Sequence, residues 1–473
     1  MQKLKTEQIQ LIIICLTVAV LWFIPGPKDL SIQAYHLFLI FLGTIVAAIL
    51  RPMPMGAVSL LGLLACLLTK TIGIEDGLSA FGQKTVWLVV FAFLVSKGFA
   101  KTGLGRRIAY LFLSKFGKSS LGLGYSIVAT DFLFSPFVPS NTARGGGILF
   151  PIVQSICHEV GSRPEDNTQH KMGSFLMALS FQANTLTSAL FLTSMAANPL
   201  ILNIILEFNL PSLNPTWMNW FKLCIIPGII NLLLLPLIVF YIQRPSMNKT
   251  PQIIPYAKKK LTEMGKMSKD EKIMGGTFIL LLGLWIGGPF VDVDATTATL
   301  VGLVVLLVTN VLSWDEVLAE KAAYDSMIWL AILLTMASQL NTLGGIEWFS
   351  KTIQMQLVSF SPLWAVFILF LLYYFSHYLF ASMTAHISSM LAAIVAVAIS
   401  LVPNNPLIVW PFIVSSNLCG GLTHYGTGSA PVFYGANYLS LKEWWKVGFI
   451  VAICNILIWG LVGIPWWHIV TKF

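Results

Sequence analysis

Charge is what this chain has least of. Asp, Glu, Lys and Arg make up 10% of its 473 residues against 56% hydrophobic residues, and the mean hydropathy is +0.79. Such a chain cannot cover a water-soluble fold with polar surface, so soluble classes are excluded, and nucleic-acid binding is not indicated. Acids are scarcest inside the apolar runs, where Asp131 stands almost alone. Without paired carboxylates or an HExxH helix, a membrane-embedded enzyme has no chemistry to work with. The six cysteines, Cys15, Cys66, Cys157, Cys224, Cys419 and Cys454, show no CxxC spacing and lie mostly in apolar runs. They read as packing residues, and no metal or cofactor is expected.

What is present in excess is apolar sequence in runs of about 17–25 residues, the length that crosses a hydrocarbon core of roughly 30 Å as helix. Taking Pro, Gly and charge clusters as connections predicts an all-α polytopic membrane protein. Spans are expected near 11–25, 32–50, 56–70, 82–100, 171–206 and 219–243, then 273–290, 296–312, 324–342, 406–440 and 445–467. The first run, Leu11 to Ile24, has no convincing small-x-small cleavage site and is followed at once by further spans, so it is retained as a helix. Two further excursions, 121–157 and 362–402, are each either two crossings or a re-entrant hairpin. The runs 171–206 and 406–440 are too long for one straight helix, and "ANTLTSA" and "THYGTGSAP" interrupt them. Broken helices are tolerated at membrane depth where protein or a water-filled cavity satisfies the backbone, and they point to a binding site.

The net charge of +9 is concentrated: between Arg244 and Lys272 there are eight basic residues and three acids, and "KTGLGRRIAYLFLSKFGK" forms a second basic zone. Together with Lys3 and Lys5, these zones are expected on the cytoplasmic side.

The chain also repeats itself. At a constant offset of 242, Trp87 falls on Trp329, Gly103 on Gly345, Ser140 on Ser382, Thr142 on Thr384, Ala143 on Ala385, Thr185 on Thr427 and Phe191 on Phe433. The organisation expected is an N-terminal helix (1–31), repeat 1 (32–243), a basic linker (244–272) and repeat 2 (273–473). Each repeat holds an odd number of crossings, so the second enters from the opposite face, the inverted architecture of secondary transporters.

The polar heart of repeat 1 is "PFVPSNTARGGGILFPIV", Pro136 to Val153. Pro139 cannot continue a helix, whereas Ala143 onward reads as helix, which places Ser140, Asn141 and Thr142 at a helix N-terminus. Such an end offers unpaired N–H groups and a partial positive charge, and attracts anions. "FASMTAHISSM" repeats the arrangement with Ser382, Met383, Thr384 and His386. Two such ends converging from opposite faces would suit a ligand with two carboxylates; the plainer alternative is helix capping and contact by Ser and Thr.

The "PSNTARGGGILFPI" motif, its "SxTA" echo and the repeat together resemble the divalent-anion/sodium symporter family, especially its exchanger branch of plastid 2-oxoglutarate/malate translocators and bacterial citrate/succinate antiporters. The resemblance covers essentially the whole chain. It implies re-entrant hairpins at 121–157 and 362–402, breaks near Asn184–Ser188 and Thr423–Pro431, and homodimers with a scaffold and a transport domain moving as an elevator. It also implies exchange of di- or tricarboxylates across the cell membrane. The substrate ligands it implies are Ser140, Asn141 and Thr142, then Ser382 and Thr384, completed by the breaks, where Thr185 and Thr427, paired by the offset, and His424 are the candidates. Met383 stands where sodium-coupled members carry asparagine, and a thioether is a poor ligand for Na⁺. Lys84, Arg144 and His386 are therefore candidates to offset substrate charge in place of bound sodium, since ionisable groups at membrane depth are costly. Each has an alternative: snorkelling at the interface for Lys84, pairing with Asp131 on the other hairpin arm for Arg144, and a helix-contact role for His386. His424 is either a substrate donor or a helix cap.

Overall fold

The computed structural model describes residues 5–208, 210, 216–357, 360–403 and 405–471; Lys3 lies outside them. Helix dominates the described residues. In the first half these are α1 (Thr6–Trp22), α2 (Ile32–Leu50), α3 (Met55–Leu68), α4 (Ile74–Leu78), α5 (Lys84–Thr102), α6 (Leu104–Phe116), α7 (Ser120–Phe134), α8 (Phe150–Glu159), α9 (Gly173–Leu190), α10 (Asn198–Leu206), α11 (Trp217–Ile242) and α12 (Ile253–Glu263). The second half adds α13 (Lys269–Val291), α14 (Ala295–Val308), α15 (Trp314–Leu318), α16 (Lys321–Thr342), α17 (Gly345–Leu357), α18 (Pro362–Ser376), α19 (Met383–His386), α20 (Ala392–Leu401), α21 (Trp410–Leu418), α22 (Ala430–Gly435), α23 (Leu441–Ile458) and α24 (Ile464–Val470).

Among the described residues, eight helical stretches are long and apolar enough to cross a membrane, and five apolar helices are shorter. The expected spans 56–70 and 296–312 are in the shorter class. Both stop early for the same reason: Lys70 and Asn310 take the left-handed conformation just past α3 and α14 (φ 57° and 59°). Left-handed corners recur elsewhere, with Arg51 and Asp292 (φ 53° and 52°) closing α2 and α13. Two helix pairs keep the offset of 242: Ser120–Phe134 lies at the register of Pro362–Ser376, and Phe150–Glu159 at that of Ala392–Leu401. At the α5–α6 and α16–α17 corners the equivalent residues are Gly103 (φ 76°) and Gly344 (φ 79°), because only glycine adopts that conformation without a Cβ penalty. The pairing of Gly103 with Gly345 is therefore off by one.

Two compact units form, and each draws on both halves of the chain. The first comprises residues 1–90, 199–215 and 321–413. In it α2 and α3 approach closely, with the Thr44 side chain lying over Gly62, and Ala47, Ala48, Val58, Phe380 and Ala385 form a buried cluster that seats the 362–402 excursion. The second comprises residues 91–198, 216–320 and 414–473, built around α9, all eighteen residues of which are buried. The buried hydroxyls and carboxamides of α9 are tolerated there because most find partners in their own helix or its neighbours. Beside it runs an aromatic column in which Phe137 stacks on Phe278 (3.2 Å), and Trp285 bridges to Trp217 (5.2 Å) and so to Phe191 (5.9 Å).

The first broken helix differs from expectation. "ANTLTSA" is helical through Leu190, and the irregular segment is Phe191–Ala197, between α9 and α10. Thr185 and Ser188 return their hydroxyls to carbonyls one turn back and Thr187 turns its hydroxyl to Asp131, so they need no unwinding. At the actual break, Asn198 Nδ2 and the Ser194 hydroxyl donate to the Ser188 and Phe191 carbonyls left open by it. In repeat 2, residues 422–429 are irregular between α21 and α22.

Candidate functional site

Both excursions are helix–tip–helix structures. In the first, α7 ends at Phe134, residues 135–140 turn, and the return arm begins at Asn141 as helix, widens to π-helix over Ala143–Leu149 and continues as α8. In the second, the π-helical stretch is Ile387–Leu391, ending at the equivalent register. Single π turns of this kind concentrate at functional sites.

At the first tip the Ser140 hydroxyl caps the return arm, accepting from the Ala143 N–H at 3.1 Å. Thr142 is exposed; its Oγ1 lies 3.4 Å from Asn141 Oδ1. Asn141 is 7% exposed, and its amide nitrogen has no hydrogen-bond partner. A buried donor left so costs about 1–3 kcal/mol, a debt that a bound anion or water can remove. The glycines after the motif permit close approach: a Cβ on Gly145 would sit 2.9 Å from Asn184 Oδ1, and one on Gly146 3.2 Å from Val432. A Cβ on Gly428 would run into the Thr142 hydroxyl. The tip of hairpin 1 therefore meets α9 on one side and the repeat 2 break on the other.

That break is stitched to α9. The Ser429 hydroxyl donates to Asn184 Oδ1 at 3.1 Å, and Gln182 Nε2 donates to the Gly421 carbonyl at 2.9 Å. Thr427 Oγ1 lies 2.9 Å from Ser429 Oγ and accepts from the Ala430 N–H, capping α22. Asn184 and Thr423 are fully buried, and the Asn184 amide nitrogen and the Thr423 hydroxyl, like the Asn141 amide nitrogen, have no hydrogen-bond partner. Thr185 is turned to its own helix, donating to the Gln182 carbonyl. His424 packs against Tyr434 (4.7 Å), and its Nδ1 accepts from the Trp445 indole N–H at 3.2 Å, which leaves Nε2 as the protonated nitrogen of the neutral ring.

Arg144 is paired. It is fully buried, with Nε 2.8 Å from Asp131 Oδ1, and its other nitrogens donate to the Val138, Ser194 and Asn184 carbonyls and the Thr187 and Ser188 hydroxyls. Thr187 in turn donates to Asp131 Oδ2 at 2.5 Å. A guanidinium neutralised and saturated in this way locks the two hairpin arms to α9 and carries no free charge toward a ligand. The charge-compensating role expected of Arg144 is replaced by the pairing with Asp131.

The second tip belongs to the other unit. The Ser382 hydroxyl accepts from the Ala385 N–H (3.4 Å). Met383 is buried at 2% exposure, its thioether filling the place equivalent to Asn141, and Thr384 is half-buried. His386, at the register of Arg144, is fully buried; it lies 2.9 Å from the Ser376 hydroxyl and stacks on Tyr373 at 4.4 Å. It too ties the return arm to the first arm of its hairpin. Lys84 is exposed at the first residue of α5.

The structure thus brings Ser140, Asn141 and Thr142 together with Thr427 and with two residues the sequence reading passed over, Asn184 and Ser429. The signal for Asn184 was available: a carboxamide in the middle of an apolar run is costly unless it is used.

Comparison with known proteins agrees with this architecture. Residues 5–473 match the family described as the sodium:sulfate symporter transmembrane region. The chain is 47% identical over 455 residues to dicarboxylate transporter 1, chloroplastic, of Arabidopsis thaliana, covering 95% of this chain and 81% of that one. It is 35% identical over 468 residues to the citrate/succinate antiporter of Escherichia coli K12, covering 94% and 95%. Among solved structures, the YdaH transporter of Alcanivorax borkumensis superposes over 98% of this chain and 99% of its own with a TM-score of 0.55 at 14% identity, a likeness of fold.

Proposed function

The chain belongs to the sodium:sulfate symporter family, and from that premise we propose that this multi-pass membrane transporter exchanges di- and tricarboxylates of the 2-oxoglutarate, malate, succinate, fumarate or citrate type, without sodium, across the cell membrane. The observation that carries the proposal is the first hairpin tip. A capped helix start presents Ser140, the buried unpartnered amide of Asn141 and the exposed hydroxyl of Thr142 beside the 422–429 break. Donors held by backbone caps rather than by flexible side chains suit a carboxylate. Asn184, Thr427 and His424, whose neutral ring has Nε2–H to give, complete the donor set of this tip, and Ser382 and Thr384 serve the second repeat in the same way.

Exchange rather than symport follows from charge. Met383 offers no hard oxygen at the position matching Asn141, so bound sodium has lost a ligand there. With Arg144 neutralised by Asp131 and His386 buried against Ser376 and Tyr373, Lys84 remains as the group proposed to offset substrate charge. A carrier with fixed positive charge crosses readily only when an anion is bound. The expected assembly is a homodimer with eleven spans and two re-entrant hairpins arranged as inverted repeats, moving by an elevator motion, with the N-terminus and basic linker cytoplasmic. Sodium-coupled dicarboxylate symport is the alternative.

Counterflow in proteoliposomes tests the substrate class. With labelled succinate outside, internal 2-oxoglutarate, malate, succinate or citrate should each drive uptake, and acetate should not. Equal drive by acetate, or none by any dicarboxylate, would remove the carboxylate-pair reading.

A further inference from the structure

Two amphipathic helices flank membrane-length helices directly. α6 starts at Leu104, just past the end of α5 and the left-handed Gly103, and five residues separate the end of α12 at Glu263 from the start of α13 at Lys269. Arg107, in the first turn of α6, is held by Glu271, in the first turn of α13, through two bonds of 2.6 and 3.0 Å. Its Nη1 donates to the Gly265 carbonyl, and Nη2 donates to the Met264 carbonyl as well as to Glu271. This buried clamp fixes the end of one span and the start of another at a common level, which is the level of a membrane surface. α6 and α12 lie side by side there, with the Tyr110 and Tyr256 rings 6.3 Å apart edge to face.

The clamp consumes Arg107 and Glu271, and Glu263 is bonded to Lys260. Arg106, Lys115, Lys118, Lys258, Lys259 and Lys266 are left exposed around the pair. Between the cations of α6, Leu111 and Phe116 are 44% and 55% exposed. The positive-inside rule accounts for basic residues on one side of the membrane. It gives no reason for large apolar side chains to stand exposed among them. Apolar groups beside lysines on a helix that leaves a span at the surface are the pattern of a helix seated in a lipid headgroup layer.

We propose that α6 and α12 form a two-helix platform for anionic phospholipid headgroups, with the lysines on the phosphates and Leu111 and Phe116 dipping toward the acyl boundary. The partner is the surrounding bilayer rather than a soluble anion, because the apolar residues have nothing to contribute to a free phosphate.

The test is electron paramagnetic resonance of spin-labelled lipids around the full-length protein in phosphatidylcholine vesicles. Labelled phosphatidylglycerol should be retained over labelled phosphatidylcholine by at least about threefold, since each cation near an anionic surface contributes measurably. The preference should fall toward parity in Lys115→Gln/Lys258→Gln/Lys259→Gln/Lys266→Gln, and for the unaltered protein as salt is raised. All four positions are exposed, and counterflow by the variant reports that it is folded. A wild-type preference absent from the start, or one that survives both the substitutions and high salt, would overturn the platform. If the variant does not fold, the salt titration of the unaltered protein decides alone.

Discussion

The Asp131–Arg144 pair distinguishes a structural lock from a charge that serves the substrate. Asp131→Asn leaves a guanidinium with no exposure and no counter-ion in the core of its unit. Arg144→Met leaves the Asp131 carboxylate with the Thr187 hydroxyl alone and strips donors from the Val138 and Ser194 carbonyls. Removing one partner of a buried pair costs about 3–5 kcal/mol. At about 2 °C per kcal/mol for a large domain, the apparent Tm in detergent should fall by roughly 6–10 °C for either single variant. The double variant Asp131→Leu/Arg144→Met removes both charges and should recover part of that loss. It does not recover all, because each carbonyl left bare still costs about 1–3 kcal/mol. Fluorescence-monitored melting of the three purified variants provides the comparison. Should Arg144→Met melt at the wild-type temperature while its substrate KM rises, Arg144 is a substrate cation and the lock is wrong.

Thr142→Val and Thr384→Val keep shape and lose the hydroxyl, so each should raise KM by roughly tenfold to a hundredfold, the worth of a hydrogen bond to a charged group; unchanged kinetics in both would move the site elsewhere. Gly428→Ala drives a Cβ into the Thr142 hydroxyl and should abolish counterflow, whereas Gly147→Ala, which has open space around it, should transport normally; similar rates in the two would show that the tip does not depend on the break. Asn184→Leu removes the acceptor of the Ser429 hydroxyl and should lower maximal exchange by at least about tenfold, while Asn184→Asp, which retains an acceptor, should keep more of it; Asp as damaging as Leu would argue that Asn184 acts only through its packing.

How much of this was legible in the sequence depends on which residues made the signal. The two tips were legible because Pro139, Ser140 and Thr142 are strong local instructions repeated at Ser382 and Thr384, and capping is a local event. The first break was misplaced because "ANTLTSA" looks polar to a hydropathy scan, yet its hydroxyls are satisfied by the helix that carries them and by Asp131. What holds the break at Phe191–Ala197 is in part tertiary: Arg144 donates to the Ser194 carbonyl from the first hairpin, while Ser194 and Asn198 supply locally the other partners that an unwound backbone needs. Span lengths were overestimated at α3 and α14 because Lys70 and Asn310 turn left-handed, a conformation lysine adopts without a sequence signature. Pairing of Arg144 with Asp131 was one of two readings, and only geometry could choose between them.

Carboxylate exchange and import on a sodium gradient part company in one measurement: uptake of labelled 2-oxoglutarate into proteoliposomes loaded with unlabelled malate, against empty ones, with and without an inward sodium gradient. Exchange predicts rapid uptake into loaded vesicles, near-background uptake into empty ones, and no response to sodium in either. Robust accumulation in empty vesicles that appears only with the sodium gradient would contradict it.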